Sequence, residues 1–233
     1  MTLFGPLTDA EIQAILLSLR VASVAVIFAL PFALGVALLL SRANFVGKTI
    51  LDVLVLLPLV LPPVVMGYIL LLTFGLRAPL GSWLYDVFGI RFIFSWTGAA
   101  LAVAIVTFPF QVRAIRISLE NTEPNLPVAA ATLGASPIDR LFTITLPLAL
   151  PGIIGGAITA FAAALGEFGA IITFVSNIPG ETQTLPLAIY SAIQTPGGEP
   201  VAARLAALSI MLAIGGLVLA EVASRQVRRM MGR

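Results

Sequence analysis

Five long apolar runs dominate the sequence and limit what it can fold into. A helix needs about 20 consecutive apolar residues to cross the hydrocarbon core of a bilayer, and each run reaches that length. Hydrophobic residues make up 59% of the 233 residues and charged residues 10%, whereas soluble domains carry about 25% charged residues. The sequence therefore predicts an all-α polytopic membrane protein with one transmembrane domain over residues 1–233. The predicted spans are about 12–40, 50–74, 97–119, 141–175 and 201–223.

The basic residues indicate the orientation of these spans, because cytoplasmic loops carry an excess of Lys and Arg. With the amino terminus outside, nine of the thirteen basic residues fall on the inside. The reverse topology would invert this bias, so the prediction is N-out and C-in, with a polar lead-in over 1–13 on the outer side. The predicted inside residues are Arg42, Lys48, Arg113, Arg116, Arg140, Arg225, Arg228, Arg229 and Arg233; the other four are Arg20, Arg77, Arg91 and Arg204.

The residue types that are missing exclude several kinds of chemistry. The sequence has no Cys and no His, which removes thiolate and imidazole catalysis and most transition-metal sites. Gly47-Lys48-Thr49 resembles the end of a phosphate-binding loop, but Arg42 stands where that loop needs its first Gly, and no strand precedes it. We therefore predict no catalytic residue, metal site, cofactor or nucleotide site in this chain. The net charge of +2 is attributed to basic loops, not to a nucleic-acid surface.

Two of the spans open with similar proline-rich segments. The second span contains 57–63 (LPLVLPP) and the fourth contains 146–152 (LPLALPG), and both run from inside to outside. A proline inside a span frees a backbone carbonyl, which a neighbouring helix or a water-lined path must satisfy. Two interpretations stay open at this point: a translocation path, and simple kinks near the inner interface.

The cytoplasmic segment, residues 128–147, is the most structured of the predicted loops. Ala129 to Leu133 form an alanine-rich run, and Gly134 suits the position just after a helix because glycine adopts positive φ at little cost. A polar patch, Ser-Pro-Ile-Asp-Arg, follows at 136–140. Pro147 can begin a helix, since its missing N–H would be unpaired there. The segment is therefore predicted to hold a short helix, a turn, and the start of the fourth span.

The spacing in this segment resembles the EAA loop of ABC-importer permeases. The matching residues are Ala129, Ala130, Gly134, Ile144, Leu146 and Pro147, and Val128 stands where that family has a glutamate. In the family the loop forms a coupling helix that docks in a groove of the cytoplasmic ATPase. The resemblance implies that a separate ATP-binding subunit contacts Ala129, Ala130, Gly134, Ala135, Ser136, Pro137, Asp139 and Arg140.

Small residues recur on the fourth span at helical spacing. Gly152, Gly156, Ala160 and Ala164 lie four apart, and a second row begins one register earlier at Gly155. A helix side this bare allows another helix to approach closely. Packing within the chain and a homodimer contact would both produce the pattern. Because five spans leave little room for an enclosed pore, we predict that two copies face each other.

Three outer stretches are similar to those of molybdate ABC-transporter permeases. They are 166–169 (GEFG), 177–190 (NIPGETQTLPLAIY) and 196–199 (PGGE). The resemblance implies a type I importer permease in the cytoplasmic (inner) membrane, surrounded by lipid, that does no covalent chemistry itself. It also implies a second permease copy, two copies of the ATP-binding subunit, and a periplasmic or extracellular molybdate-binding protein.

Two alternatives remain beside molybdate import. A permease of the same architecture would also serve sulfate, thiosulfate or tungstate. A stand-alone ion-coupled carrier belongs to a different class and would need intramembrane acids or bases for coupling. Only Glu167 meets that requirement.

Glu167 is the acidic residue that the apolar fourth run contains. An unpaired carboxylate in hydrocarbon costs several kcal/mol, so it must be partnered, protonated or near water. It lies about 20 residues beyond Pro147, roughly 30 Å along a helix, where Arg20 and Arg204 are expected at similar depth. One interpretation places Glu167 beside the substrate path, and the other makes it a buried ion pair at a re-entrant bend. The ion pair is favoured, because a bare carboxylate would repel an anionic cargo.

Overall fold

The computed structural model describes residues 6–121 and 125–230, and this part of the chain contains helices and turns without any strand. Four helical stretches are long and apolar enough to cross a membrane, and a bent pair of shorter helices brings the number to five when the pair is counted as one span. The predicted all-α class with five spans is confirmed. Residues 1–5 of the lead-in and Arg233 lie outside the described ranges. The elements are α1 (Asp9–Arg42), α2 (Lys48–Val60), α3 (Pro63–Phe74), α4 (Pro79–Phe88), α5 (Trp96–Glu120), α6 (Asn125–Thr132), α7 (Pro137–Arg140), a π turn (Leu141–Thr145), α8 (Leu146–Leu165), α9 (Gly169–Val175), α10 (Leu185–Gln194) and α11 (Glu199–Met230).

The second predicted span, 50–74, is not one helix. The chain bends by 114° between α2 and α3. Pro62 and Pro63 cannot donate backbone hydrogen bonds, and a residue before proline is driven out of the helical region. Leu61 accordingly takes φ −74° and ψ 142°. The proline pair therefore breaks this span into two helices, at the proline-rich segment that the sequence analysis singles out.

The fourth predicted span, 141–175, is also divided. α8 ends at Leu165, and α9 starts only at Gly169. Between them, the carboxylate of Glu167 accepts a hydrogen bond from the backbone N–H of Ala170 at 2.8 Å. This acceptor satisfies a free N–H in the first turn of α9, and the break falls at Glu167, where the favoured interpretation of the sequence places a bend.

Pro147 is the second residue of α8 (Leu146–Leu165), as the sequence predicts, but α8 is not preceded by a loop. Helical structure already starts at Pro137 and continues to Leu165. A proline inside a helix clashes with the carbonyl four residues earlier, here Thr143. The π turn lies at this point, and the N–H of Leu146 bonds to the carbonyl of Leu141, five residues back. The wider turn makes room for the proline ring.

α5 is the central helix of the bundle, and it is buried along most of its length. α1 and α8 both pack against it. The side of α1 that is buried carries alanine at spacings of three or four residues. Lipid tails provide no hydrophobic drive between helices, so close contact between small residues supplies the attraction. These alanines are Ala22, Ala25, Ala29, Ala33 and Ala37.

The glycine row of α8 packs against α5 of the same chain. A Cβ on Gly152 would lie 2.4 Å from the Cβ of Ser118, and one on Gly156 would lie 3.0 Å from the Cβ of Ala114. Intramolecular packing therefore accounts for this row. Gly155, on the other row, has no atom within 4 Å of where its Cβ would stand.

This difference predicts opposite effects of two alanine substitutions on α8. Gly152→Ala must push α8 away from α5, and such overpacking costs about 1–3 kcal/mol. Gly155→Ala meets no neighbour and gains up to about 1 kcal/mol of helix propensity. We expect the melting temperature of the detergent-purified protein to fall for Gly152→Ala and to hold or rise for Gly155→Ala. Equal melting temperatures would contradict this packing.

Polar contacts at the two ends of the bundle agree with the predicted orientation. At the inner end, Arg116 pairs with Asp52 at 2.9 Å and with Glu120 at 2.7 Å. At the outer end, the N–H of Leu185 donates to the hydroxyl of Ser18 at 2.7 Å. Residues that the sequence assigns to the same side of the membrane thus meet in the structure.

Candidate functional site

The cytoplasmic segment turns sharply at Gly134, as the sequence predicts. α6 ends at Thr132, and the N–H of Ala135 bonds back to the carbonyl of Ala130 at 3.0 Å. Gly134 itself takes φ +89° and is exposed. This left-handed conformation favours glycine because a Cβ would approach the following carbonyl. The predicted helix end is confirmed, although α6 starts earlier than Ala129.

The polar patch after this turn is a helix cap. The hydroxyl of Ser136 accepts from the N–H of Asp139 at 3.2 Å, and the Asp139 carboxylate accepts from the N–H of Ser136 at 3.1 Å. This reciprocal arrangement is a capping box, and Pro137 occupies the first helical position, where its missing N–H has no cost. The second half of the segment is therefore a fixed helix start and not a loose loop.

Large apolar side chains stand exposed around this turn. Leu133 is 88% exposed and Ile138 is 68% exposed, on a segment that the orientation places in the cytoplasm. Exposed apolar residues of this size mark a surface that a partner covers. We call this set the apolar cap, and it consists of Val128, Leu133, Ile138 and Phe142.

Two residues of the apolar cap, Ile138 and Phe142, lie on the helical stretch that continues into the membrane. α7, the π turn and α8 form one helical stretch from Pro137 to Leu165. At the last residue of the π turn, the hydroxyl of Thr145 accepts a hydrogen bond from the guanidinium of Arg42 at 2.8 Å. This stretch therefore joins the exposed cytoplasmic turn to the membrane helix α8.

The two half-helices α3 and α9 cross in close contact. A Cβ on Gly67 would lie 2.7 Å from the carbonyl oxygen of Ala170, and one on Gly169 would lie 2.8 Å from the Cβ of Pro63. Each half-helix thus contributes a glycine where the other approaches. The crossing brings together the breaks of the second and fourth spans, which are far apart in sequence.

Neither arginine expected beside Glu167 pairs with it. The Glu167 carboxylate accepts from the N–H of Ala170 in the first turn of α9, and the ion pairs within residues 6–121 and 125–230 do not include it. The guanidinium of Arg20 lies 3.7 Å above the centre of the Trp96 ring, an arrangement that attracts a cation to the ring face. The predicted ion pair is wrong, because backbone N–H groups at a helix start meet the needs of the carboxylate instead.

Arg204 pairs with Glu11, a residue that the sequence placed in the lead-in. The guanidinium donates to both carboxylate oxygens, with Nε to Oε1 at 2.8 Å and Nη2 to Oε2 at 2.6 Å. The side chains are 7% and 3% exposed. Glu11 also accepts from the hydroxyl and the N–H of Thr8 as part of the cap of α1. The pair ties the first helix to the last at the outer end of the bundle.

Uncharged side chains cluster in the outer connection between α9 and α10. The amide of Asn177 donates to the hydroxyl of Ser191 at 2.7 Å, and the amide of Gln183 donates to the Asn177 carbonyl at 3.0 Å. The buried hydroxyl of Thr182 accepts from the N–H of Ile178. This outer network therefore presents neutral hydrogen-bonding groups rather than carboxylates.

Residues 29–231 match the family described as binding-protein-dependent transport system inner membrane component. The chain belongs to this family. The permease is therefore a transport subunit of the inner membrane, as the sequence predicted, and its spans have the lipid environment that its composition requires.

The permease has close relatives of known assignment along nearly its whole length. It is 58% identical over 227 residues to the molybdenum transport system permease protein ModB of Escherichia coli K12, covering 97% of this chain and 99% of the relative. The ModB of Haemophilus influenzae is 54% identical over 223 residues, covering 96% and 97%. The sulfate transport system permease protein CysT of E. coli K12 is 36% identical over 211 residues, covering 89% and 75%.

Solved transporters share the fold of the permease. A chain of a bacterial alginate ABC transporter, in complex with an alginate-bound periplasmic protein, aligns with a TM-score of 0.76 at 18% identity, covering 94% of this chain and 80% of that one. A chain of the MetNI methionine ABC transporter in inward-facing conformations aligns with a TM-score of 0.73 at 15% identity, covering 95% and 99%. These likenesses confirm the predicted ABC-importer permease fold.

Several residues of the candidate site do not stand out in the sequence. Leu133 and Ile138 were left out because exposure does not show in composition, although two large apolar residues beside a predicted turn are a usable signal. Glu11 was treated as part of a lead-in, although Thr8 three residues earlier forms a recognisable capping pair with it. Thr145 was hidden inside a predicted apolar run.

Proposed function

We propose that the permease is the membrane subunit of an ATP-driven ABC importer that moves molybdate across the inner membrane. The observation that carries the proposal is its 58% identity, over 97% of the chain, to a molybdenum permease. The sulfate permease is more distant, at 36% identity over 89% of the chain. Two copies of the permease would form the path, with two ATP-binding subunits inside and a molybdate-binding protein outside.

The cytoplasmic segment would transmit the force of ATP hydrolysis. The proposed contacts with the ATPase are Ala129, Ala130, Gly134, Ala135, Ser136, Pro137, Asp139 and Arg140. The exposed apolar cap supports this proposal, because Leu133 and Ile138 need a partner to leave water. The helical stretch from Pro137 to Leu165 supports it further, since an ATPase docked at Ile138 would act on the same stretch that forms a membrane span.

The substrate path would run along the broken spans. The molybdate ion is a tetrahedral dianion, so neutral donors suit it better than fixed carboxylates. The outer network of Asn177, Gln183 and Ser191 has this character. Glu167 is committed to the start of α9, which removes the acid that an ion-coupled carrier would need and makes that alternative the weaker one.

Uptake into proteoliposomes tests the substrate. The vesicles contain the permease with its ATPase, and they receive the binding protein and radiolabelled molybdate outside with ATP inside. We expect uptake that excess unlabelled molybdate abolishes and an equal excess of sulfate leaves nearly intact. Competition by tungstate measures how well the transporter distinguishes molybdate from a closely related oxyanion. Stronger competition by sulfate than by molybdate would replace the proposal with the sulfate alternative.

The apolar cap predicts a matched pair of binding results. Burial of a leucine side chain contributes about 1.5–3 kcal/mol, and each 1.4 kcal/mol is about a factor of ten in affinity. We expect Leu133→Ser to weaken binding of the ATPase subunit about tenfold or more, measured by titration of the detergent-purified permease. Val46→Ser is the control, because Val46 is fully exposed at 104% in another cytoplasmic connection. Equal losses from both variants would contradict docking at the cap.

A further inference from the structure

Arg42 reaches from the last turn of α1 into the base of the cytoplasmic segment. Its Nη2 atom donates to the hydroxyl of Thr145 at 2.8 Å. Thr145 is 1% exposed, so the hydroxyl lies out of water and a charged donor to it is strong. This hydrogen bond joins two residues that are 103 positions apart in sequence.

Thr145 closes the π turn, which is the weakest point of the helical stretch behind the apolar cap. Pro147 cannot donate a backbone hydrogen bond, so the carbonyl of Thr143 loses its helical partner. The π turn replaces the regular pattern over five residues, Leu141–Thr145. Helices bend most readily at such interruptions. Movement of the apolar cap would therefore bend the helical stretch at the π turn unless another contact stabilises the turn.

The helices around the Arg42–Thr145 hydrogen bond indicate which elements it connects. Just inside the membrane, Ala37 and Leu40 of α1 share a buried cluster with Ala149 of α8. α1 packs along α5, the central helix. A displacement of the π turn that carries Arg42 with it would thus move α1 and α8 together against α5.

We infer that Arg42 is a positioning residue for coupling: its hydrogen bond to Thr145 stiffens the π turn, so that movement of the cytoplasmic segment shifts α1 and α8 as one body. The inference rests on the proposed function, because it assumes an ATPase that acts on this segment. Without this hydrogen bond, the π turn bends, and part of the movement that the ATPase imposes on the cytoplasmic segment is not transmitted to α1 and α8.

The number of ATP molecules hydrolysed per molybdate imported measures this role in reconstituted vesicles. Loss of one charge-assisted hydrogen bond shifts a conformational equilibrium about tenfold, so Arg42→Gln is expected to raise the ratio several-fold. Binding of the ATPase and the melting temperature are expected to stay near wild type. Thr145→Val removes the acceptor at constant shape and should raise the ratio to the same extent. The double variant should equal either single variant, and Arg42→Lys should recover part of the coupling.

Two controls isolate the contact. Thr143→Val alters the same turn, but the Thr143 hydroxyl donates to the carbonyl of Asp139, a residue of the same helical stretch. Lys48→Gln removes another positive charge from the inner end. Both are expected to couple like the wild type. Additive effects of Arg42→Gln and Thr145→Val, or a ratio for Arg42→Gln no higher than that of Lys48→Gln, would overturn this inference alone. A wild-type permease that imports no molybdate with ATP would overturn the proposed function and this inference with it.

Discussion

Arg204→Met is expected to be the most destabilising single change in the permease. The substitution leaves the Glu11 carboxylate at 3% exposure without its cation. Breaking a buried ion pair from one side costs about 3–5 kcal/mol. For a chain of this length that corresponds to a fall in melting temperature of the order of 10 °C, readable by fluorescence-detected gel filtration of heated, detergent-solubilised protein. We also expect less of the variant in the membrane fraction.

A double variant and a matched arginine separate the ion pair from general effects of losing a charge. Arg204→Met with Glu11→Met replaces the pair by apolar residues, which is often neutral for stability, so most of the lost melting temperature should return. Arg20→Met is the control, because the Arg20 guanidinium lies on the face of Trp96, a contact of about 0.5–1 kcal/mol at exposed sites. A double variant no more stable than Arg204→Met would show that the pair is not the cause.

Gly134→Val is expected to separate ATP hydrolysis from transport. Gly134 holds φ +89° at the tip of the cytoplasmic segment, and a β-branched residue there costs about 1–3 kcal/mol of backbone strain. Relief of that strain rotates α6 relative to the capped start of α7, so the surface offered to the ATPase changes shape. We expect molybdate uptake to fall at least tenfold, while the membrane-inserted amount and the melting temperature change little.

The expected insertion follows from the position of Gly134. It is exposed and has no atom within 4 Å of its Cβ position, so the substituted side chain does not clash with the bundle. Gly134→Asn serves as the milder companion, because Asn tolerates left-handed backbone better than most residues, and it should retain more uptake than Gly134→Val. Full uptake by Gly134→Val would remove the segment from the coupling mechanism.

The spans were predictable because hydrophobic length alone decides whether a helix can cross a bilayer. α1 and α5 appear where the apolar runs are, and the bare side of α8 was readable from Gly152 and Gly156. The breaks were harder to place. Pro62-Pro63 ends one helix, while Pro147 is absorbed by a π turn. The outcome depends on whether the neighbouring residues can widen the helix, which a proline pattern does not reveal.

The partners of charged residues were the least predictable part of the candidate site. Depth along a span suggested that Glu167 would meet Arg20 or Arg204. In the structure, the Glu167 carboxylate accepts a hydrogen bond from a backbone N–H. Arg204 pairs instead with Glu11, a residue 193 positions earlier. Depth restricts which charges share a layer of the membrane. It does not tell which helices are neighbours within that layer, and the fold decides that.

The permease is proposed to be a passive path that is driven by an ATPase docked on its inner face. Molybdate uptake by proteoliposomes that contain the permease alone, and by matched vesicles that also have the ATPase, ATP and the binding protein, tests that claim directly. We predict background uptake from the permease alone and ATP-dependent accumulation from the complete set. Accumulation of molybdate by the permease alone would contradict the account.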